Sequence, residues 1–231
     1  MWGWERALLD REITELKKKV GFISALDFAC GTGRIITLTE KLVDHSVGVD
    51  ISSSMLEYAR GKLSHTELIC ADLTTNDVLR GNYFQLITAF RIFLNSDAKL
   101  RDEMLAVLVS KLAPDGHFIF NMHGNLWSHR MLTKLYFWFR GRRLNTSSYW
   151  QVKKMIDPHG LVIKQFYGFG VIPKPFYRIA RGKYIYALDR FFACLPLMRW
   201  FSNNLVFVCA RKNTHADRKV DPQTQEDIFT A

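Results

Sequence analysis

Residues 24–34 read SALDFACGTGR, and this stretch decides the fold class. A short apolar run closes on Asp27, a turn of small residues follows from Ala29 to Gly33, and the next residues, IITLTEKLV, have helical spacing. Strand, glycine-rich turn and helix, in that order, form the context that a phosphate- or nucleoside-binding loop requires. The stretch therefore predicts a ligand-binding turn at one edge of an α/β sheet.

The alternation of apolar strands and helical segments continues as far as residue 122. Strand-like runs occupy residues 22–29, 46–50, 67–71, 84–90 and 117–122, and helical spacing occupies 33–43, 53–63 and 97–112, after a lead helix over 4–19. Ser52 or Ser53 is the predicted N-cap of the helix over 53–63, and Asp97 is the predicted N-cap of the helix over 97–112. Near-continuous apolar strands alternating with helices predict a mostly parallel sheet between two helical layers, an α/β three-layer sandwich. In such a sheet, ligands bind at the carboxyl ends of the strands.

The regular alternation of strands and helices ends after residue 123. We expect helices over 125–143 and 146–156, strands over 161–169 and 202–212, and irregular to helical structure over 171–200. A chain of 231 residues is long enough for one well-buried domain, which we place at 1–212, and the polar tail 213–231 has the composition of a disordered segment.

Hydropathy and cysteine usage predict a cytoplasmic protein. The sequence contains no apolar stretch of about 18 residues, and its charged N-terminus is unlike a secretory signal. The four cysteines lie far apart, without a CxxC pair, so we expect reduced thiols and no metal site. Cys30, Cys70 and Cys209 end strand-like runs, and we expect them to be buried.

The positive charge of the chain is concentrated in one segment. Residues 125–200 hold 14 Lys and Arg against two acids, Asp157 and Asp189, for a net +12, whereas the rest of the chain is close to neutral. The same window holds 17 of the 31 Trp, Tyr and Phe residues. This basic, aromatic segment therefore needs a local explanation.

The glycine turn does not suit a dinucleotide. A dinucleotide fold uses a G-x-G-x-x-G/A turn, whose last small residue packs the helix on the strand. Depending on the register chosen, Ile36 or Arg34 stands where that residue belongs.

The turn instead resembles motif I of the class I S-adenosylmethionine-dependent methyltransferases, in which an acid precedes a small-x-Gly-x-Gly turn. Asp27, Ala29, Gly31 and Gly33 fit that motif, with Ala29 replacing the usual first glycine. Three further segments are similar in the same order: SVGVD ending at Asp50, ICADL, and LAPDGHFIF before the fifth strand. The resemblance implies a Rossmann-like, seven-stranded fold with S-adenosylmethionine as cofactor, into which the basic, aromatic segment would be inserted as a helical lid.

The resemblance also implies roles for individual residues. Asp27 and the turn would hold the amino-acid part of the cofactor, and Asp50 would accept the ribose hydroxyls. The predicted adenine contacts are Ile51, Met55, Asp72 and Leu73.

The acceptor is less defined than the cofactor. His123 follows the fifth strand and is the predicted general base for a hydroxyl acceptor, since imidazole accepts protons near neutral pH. The alternative role of His123 is a hydrogen bond to a loop. Arg91 and Tyr149 are candidate substrate contacts, and the alternative for Arg91 is an ion pair with a neighbouring acid. The sequence has no [ND]-P-P-[YF] after the fourth strand, which disfavours methylation of exocyclic base amines. It has no metal-binding acid cluster, which disfavours catechol-type methylation, and no Pro-Cys dipeptide, which disfavours methylation of cytosine C5.

The class of substrate is therefore inferred from the segments 124–145 and 171–200. Their density of bulky apolar residues favours a lid over a small-molecule or lipid-linked acceptor, with membrane-surface contact through 125–143 and 184–201. Alternatives are an RNA methyltransferase that uses the same cations and aromatic rings, a non-catalytic binding module, or an ordinary helical subdomain packed on the sheet.

Overall fold

Seven strands form a single sheet in the computed structural model, which describes residues 2–128, 130–141, 145–173, 176, 182–195 and 197–212. The strands are β1 (Ser24–Phe28), β2 (His45–Asp50), β3 (Glu67–Cys70), β4 (Phe84–Ala89), β5 (Leu112–His123), β6 (Leu161–Phe169) and β7 (Asn204–Arg211). Their order is β3-β2-β1-β4-β5-β7-β6, and β7 runs in the direction opposite to the other six strands. The sheet is therefore mostly parallel, as predicted.

Seven helices are described, and they supply the outer layers together with short 3-10 segments. They are α1 (Trp2–Val20), α2 (Ile36–Thr39), α3 (Ser53–Arg60), α4 (Ala98–Lys111), α5 (Arg130–Phe139), α6 (Tyr149–Ile156) and α7 (Gly182–Cys194). Alternate residues of one strand belong to different cores: on β5, Phe118 and Phe120 pack in one apolar cluster and Ile119 in the other. Because both faces of the sheet are covered, the central strands are apolar throughout rather than alternating.

Two predicted N-caps are confirmed. The side chain of Ser52 accepts a hydrogen bond from the amide of Met55 at the start of α3, and Asp97 accepts one from the amide of Leu100 at the start of α4. Helix α6 begins with a capping box formed by Ser148 and Gln151, slightly later than the predicted start.

The helix after the glycine turn is much shorter than the predicted 33–43, because regular α-helix covers only Ile36–Thr39. The hydroxyls of Thr37 and Thr39 bond back to the carbonyls of Gly33 and Ile36. Such side-chain bonds compete with regular helix, and β-branched threonine is a weak helix former.

The expectation that Cys70 is buried is wrong. Cys30 and Cys209 are buried free thiols, but Cys70 is exposed, because β3 is an edge strand with one side uncovered. The side chain of Cys194 lies outside the described residues.

The two segments that follow β5 and β6 emerge at the same edge of the sheet. Both strands run antiparallel to β7 and therefore parallel to each other, so α5 and α7 follow strands whose carboxyl ends share one edge. Residues 129, 142–144, 174–175, 177–181 and 196 of these segments, and the tail 213–231, lie outside the described residues. No helix in the described ranges combines the length and apolarity needed to cross a membrane.

Ala29 adopts a left-handed conformation, with φ of +54°. Its Cβ makes this conformation unfavourable by about 1–2 kcal/mol, whereas glycine adopts it freely. The strained residue directly follows Phe28, at the carboxyl end of β1.

We expect Ala29→Gly to stabilise the protein by about 0.5–1 kcal/mol, because relief of strain exceeds the entropy cost of glycine. Cofactor affinity should remain nearly unchanged. Urea unfolding measures the free energy, and Ala106→Gly, on the exposed side of α4, is the control that should destabilise by about 0.5–1 kcal/mol. Equal destabilisation by both substitutions would contradict the assignment of strain to Ala29.

Candidate cofactor-binding site

The carboxylate of Asp50 joins the glycine turn to the start of α3. Its Oδ2 accepts a hydrogen bond from the amide of Gly31 at 2.8 Å, and its Oδ1 accepts one from the amide of Ser52 at 2.9 Å. The side chain is largely buried at the end of β2, which pairs in parallel with β1. The ends of two neighbouring strands are thus fixed by one carboxylate, each of whose oxygens retains further acceptor capacity.

The two glycines of the turn are required for different reasons. Both have positive φ, +55° at Gly31 and +79° at Gly33. A Cβ on Gly33 would also lie 3.1 Å from the Cβ of Ala59 on α3, whereas one on Gly31 would lie at ordinary contact distance from the Met55 Sδ, 3.7 Å, and the Asp50 Oδ2, 4.0 Å. Gly33 therefore allows α3 to pack closely on the turn, and Gly31 keeps the backbone open toward the cleft.

Asp27 is a buried carboxyl group with one oxygen uncommitted. It pairs in register with Thr88 on β4, whose hydroxyl donates to Oδ1 at 2.6 Å. Its Oδ2 has no hydrogen-bond partner of ordinary geometry within the described residues. Burial raises the pKa of Asp27 to about 7, against the opposing effects of the Thr88 hydroxyl, the Arg34 guanidinium and the nearby Ile36 amide. A cation brought to Oδ2 would restore the ionised form.

These groups line a cleft of about 570 Å³ between the glycine turn and the loop after β4. The lining side of the turn consists of Asp27, Ala29, Cys30, Gly31, Thr32, Arg34, Ile35, Asp50 and Met55, and the loop side of Phe90, Arg91, Ile92, Asn95 and Ser96. The cleft lies at the carboxyl edge of the parallel strands, where ligands bind in sheets of this kind.

The loop after β4 is held from the neighbouring strand. Arg91 has a positive φ of +66°, and its amide donates to Oδ1 of the buried Asn121 on β5 at 2.6 Å. This bond fixes the reversal of the chain and leaves the exposed Arg91 side chain in the cleft lining.

Helix α1 is tied to the same site through Arg34. The guanidinium of Arg34 forms an ion pair with the buried Glu5 of α1 and lies 5.9 Å from the centre of the Phe90 ring. The lead helix therefore supports the wall of the cleft as well as the apolar core.

Of the residues singled out in the sequence, Asp27, Ala29, Gly31, Asp50, Met55 and Arg91 line this cleft. Gly33 lines a smaller adjacent cleft of about 410 Å³. Ile51 and Asp72 are exposed beyond the ends of β2 and β3, and Leu73 is buried in the core. The carboxylate of Asp72 accepts hydrogen bonds from the amide and hydroxyl of Thr74.

The predicted acceptor residues are placed less directly. His123 is the last residue of β5, partly buried and opposite Asn204 on β7, and is not among the residues that line the cleft. Tyr149 is also outside the lining: its ring packs 5.0 Å from those of Phe166 and Trp200, and burial raises the pKa of its hydroxyl.

Sequence reasoning missed several residues that shape the site, namely Arg34, Thr88, Asn95, Ser96 and Asn121. Thr88 and Asn121 are polar residues inside otherwise apolar strands, and this interruption is the available signal for them. Asn95 and Ser96 lie in the loop after β4, at the end of a short 3-10 segment and at the edge where ligands are expected.

The donor set of the cleft fits an amino acid joined to a nucleoside. The uncommitted oxygen of buried Asp27 suits an ammonium group, and the turn presents backbone to a carboxylate. Asp50 retains acceptor capacity for ribose hydroxyls, and Met55 supplies an apolar contact beside Gly31. S-Adenosylmethionine combines these groups.

Comparison with known proteins agrees with this assignment. Residues 25–116 match the model of a methyltransferase domain family. The comparison with curated proteins finds no match.

Solved structures share the fold over most of the chain. An S-adenosylmethionine-dependent methyltransferase from Clostridium acetobutylicum is 14% identical, covers 91% of this chain and 92% of its own, and has a TM-score of 0.62. One from Archaeoglobus fulgidus is 17% identical, covers 92% of this chain and 95% of its own, and has a TM-score of 0.60. The magnesium protoporphyrin IX methyltransferase from Synechocystis PCC 6803, with bound S-adenosylhomocysteine, is 13% identical. It covers 90% of this chain and 84% of its own, also with a TM-score of 0.60.

The similarity to these structures lies in the fold, and the matched domain spans the strands that carry Asp27, the glycine turn and Asp50. Fold, matched domain and sequence motifs agree: residues 25–116 match a methyltransferase domain, and the sheet has the Rossmann-like fold of S-adenosylmethionine-dependent methyltransferases.

Proposed function

We propose that the protein transfers the methyl group of S-adenosylmethionine to a hydroxyl oxygen of a small-molecule or lipid-linked acceptor. The observation that carries this proposal is the position of the cofactor cleft. It opens at the same sheet edge from which the two basic, aromatic segments emerge. An acceptor held by those segments would be next to the bound cofactor.

The cofactor would be held by residues of the first three strands. Asp27 would bind its ammonium group through Oδ2, amides of the turn from Ala29 to Gly33 its carboxylate, and Asp50 its ribose hydroxyls. We assign the adenine contacts to Ile51, Met55, Asp72 and the amide of Leu73. Bound in this way, the sulfonium supplies a methyl group activated by a neutral thioether leaving group.

The chain then has to align the acceptor and remove its proton. The acceptor oxygen forms a bond to the methyl carbon as the carbon–sulfur bond breaks and its electron pair stays on sulfur. The hydroxyl proton passes to an imidazole nitrogen of His123. Alignment in a cleft closed to water supplies much of the rate of such a displacement, and a positioned base adds to it.

The position of His123 on β5 supports its role as base. It lies two residues beyond Asn121, so both side chains project from the same face of the strand. Asn121 fixes the loop that carries Arg91 into the cleft. We therefore assign to Arg91 the orientation of an anionic group on the acceptor, and to segments 124–145 and 171–200 the cover over it.

An acceptor other than nucleic acid is compatible with the fold. Two proteins of this fold are named as methyltransferases of magnesium protoporphyrin IX and of plantazolicin. This observation supports the proposal at the level of acceptor class only.

Cofactor affinity should depend on pH through Asp27. In the free protein its pKa is about 7, so below that pH the carboxyl is mostly protonated. Since the ammonium group selects the ionised form, affinity should fall by up to about tenfold per pH unit in acid. It should fall again above about pH 8, where an α-amino group loses its proton. Calorimetric titration from acid to alkaline pH measures both limbs.

Asp27→Asn is the matched control for this profile. The amide does not titrate, so binding should be weaker overall and lose the acidic limb. The same acidic limb in wild type and variant would exclude Asp27 as the titrating group.

Asp50→Ala should weaken cofactor binding by about thirtyfold or more, because hydrogen bonds to a charged group contribute about 1.5–3 kcal/mol each. The substitution also frees the amides of Gly31 and Ser52. Asp115→Ala, at the amino-terminal part of β5, removes an exposed carboxylate and should bind normally. Normal binding by Asp50→Ala would refute the assigned cofactor site.

The acceptor class can be tested with cofactor carrying a labelled methyl group. Purified protein is incubated with separate lipid, small-metabolite and RNA fractions, and we expect label in lipid or small metabolites, attached to oxygen. His123→Gln should lower kcat by about 100-fold without changing cofactor affinity. Label confined to RNA would contradict the proposed acceptor, and an unchanged kcat would contradict the proposed base.

A further inference from the structure

Helix α5 exposes a continuous apolar ridge. Met131, Leu135 and Trp138 follow one another at helical spacing, and each is between 51% and 69% exposed. Tyr136 and Phe139 are also exposed beside them. A helix of a globular protein normally turns such a stripe toward the core, so this one is available to a partner.

Helix α7 repeats the pattern. Tyr184, Leu188, Phe191 and Leu195 fall at the same spacing through this helix and its last turn, and all four are exposed. Leu197 and Phe201 extend the exposed apolar surface toward β7. We call the side chains Met131, Leu135 and Trp138 with Tyr184, Leu188, Phe191 and Leu195 the two ridges.

Cations accompany the α5 ridge, and the two acids of the surrounding window are committed elsewhere. The exposed Lys134 and Arg140 lie on α5 and directly after it, and the guanidinium of Arg140 sits 5.2 Å from the Tyr136 ring centre. Asp189 of α7 is buried and accepts a hydrogen bond from the amide of Ile172. Asp157 is paired with Lys153 and Lys212.

The charge, shape and apolar character of the two ridges indicate which kind of partner they bind. A second copy of the chain would bring two segments of net charge +12 together, which repel. A small molecule needs a concave site, whereas the ridges are convex helix surfaces. RNA would pair with the cations, but it has no use for exposed Met and Leu side chains. An anionic bilayer accepts apolar side chains into its interface and attracts the cations beside them.

We infer that the two ridges dock the protein on an anionic lipid bilayer. Both follow strands that end at the carboxyl edge of the sheet, where the cofactor cleft also opens. Docking therefore brings that edge to the membrane surface. Delivery of a lipid-linked acceptor to the cleft rests on the proposed function, whereas docking itself does not.

The test is co-sedimentation of the full chain with vesicles, without cofactor or acceptor. We expect binding to vesicles of phosphatidylcholine with about a quarter phosphatidylglycerol, and weak binding to pure phosphatidylcholine. Raising the salt concentration from about 0.1 M to about 0.5 M should weaken binding to the anionic vesicles.

Two double variants separate the apolar and ionic contributions. Leu135→Ser with Leu188→Ser, and Lys134→Gln with Arg140→Gln, should each raise the lipid concentration needed for half-maximal binding by about tenfold. Tyr83→Ser, which removes an exposed apolar side chain just before β4, should bind like wild type. Unchanged cofactor affinity and melting temperature show that the variants are folded.

Three results would overturn the inference: no vesicle binding by wild type, ridge variants that bind as tightly as wild type, or ridge-dependent RNA binding or self-association in place of vesicle binding. Failure to methylate lipid-linked acceptors would leave docking intact. Failure to bind vesicles would leave methyl transfer to a small-molecule acceptor intact. The two proposals therefore fail separately.

Discussion

The structure depends on the placement of two carboxylates at the ends of adjacent parallel strands. Asp50 is satisfied within the protein, because the amides of Gly31 and Ser52 donate to it and fix the turn against α3. Asp27 is only half satisfied, since Thr88 bonds one oxygen and burial disfavours its charge. Asp50 therefore holds the walls of the cleft together, whereas Asp27 leaves one buried carboxylate oxygen without a hydrogen-bonded positive partner within the described residues. A ligand with a positive charge near Oδ2 supplies that partner.

Asn121 and Glu5 extend this constraint to the rest of the fold. Asn121 holds the loop after β4 in a reversal that places Arg91 in the cleft, and Glu5 holds Arg34 from the lead helix. Both contacts join elements that are distant in sequence. The apolar layers position the strands, and these few polar contacts position the walls between them. Loss of either contact would alter the cleft without removing the sheet.

The strands and most helices could be predicted because burial of both sheet faces leaves a direct pattern in the sequence. The meeting of Asp27, the glycine turn and Asp50 in one cleft could be predicted because a positive φ favours small residues and because strand ends place carboxylates at one edge. The exposure of Cys70 could not, since it depends on β3 being an edge strand, which no local pattern reveals. The shortness of α2 and the contacts of Asn121 and Arg34 depend on hydroxyl and long-range bonds that apolar spacing does not report.

The division of charge in the sequence acquires a physical meaning from the topology. Since β7 is antiparallel to both neighbours, the chain returns through it, and the segments after β5 and β6 both leave the sheet on the cofactor side. The near-neutral body therefore carries its positive, aromatic helices at one edge instead of spreading them over the surface. Had β6 run in the opposite direction, α7 would emerge at the far edge and its ridge would face away from the cleft. The reversal of a single strand thus gathers the cleft and both ridges at one edge.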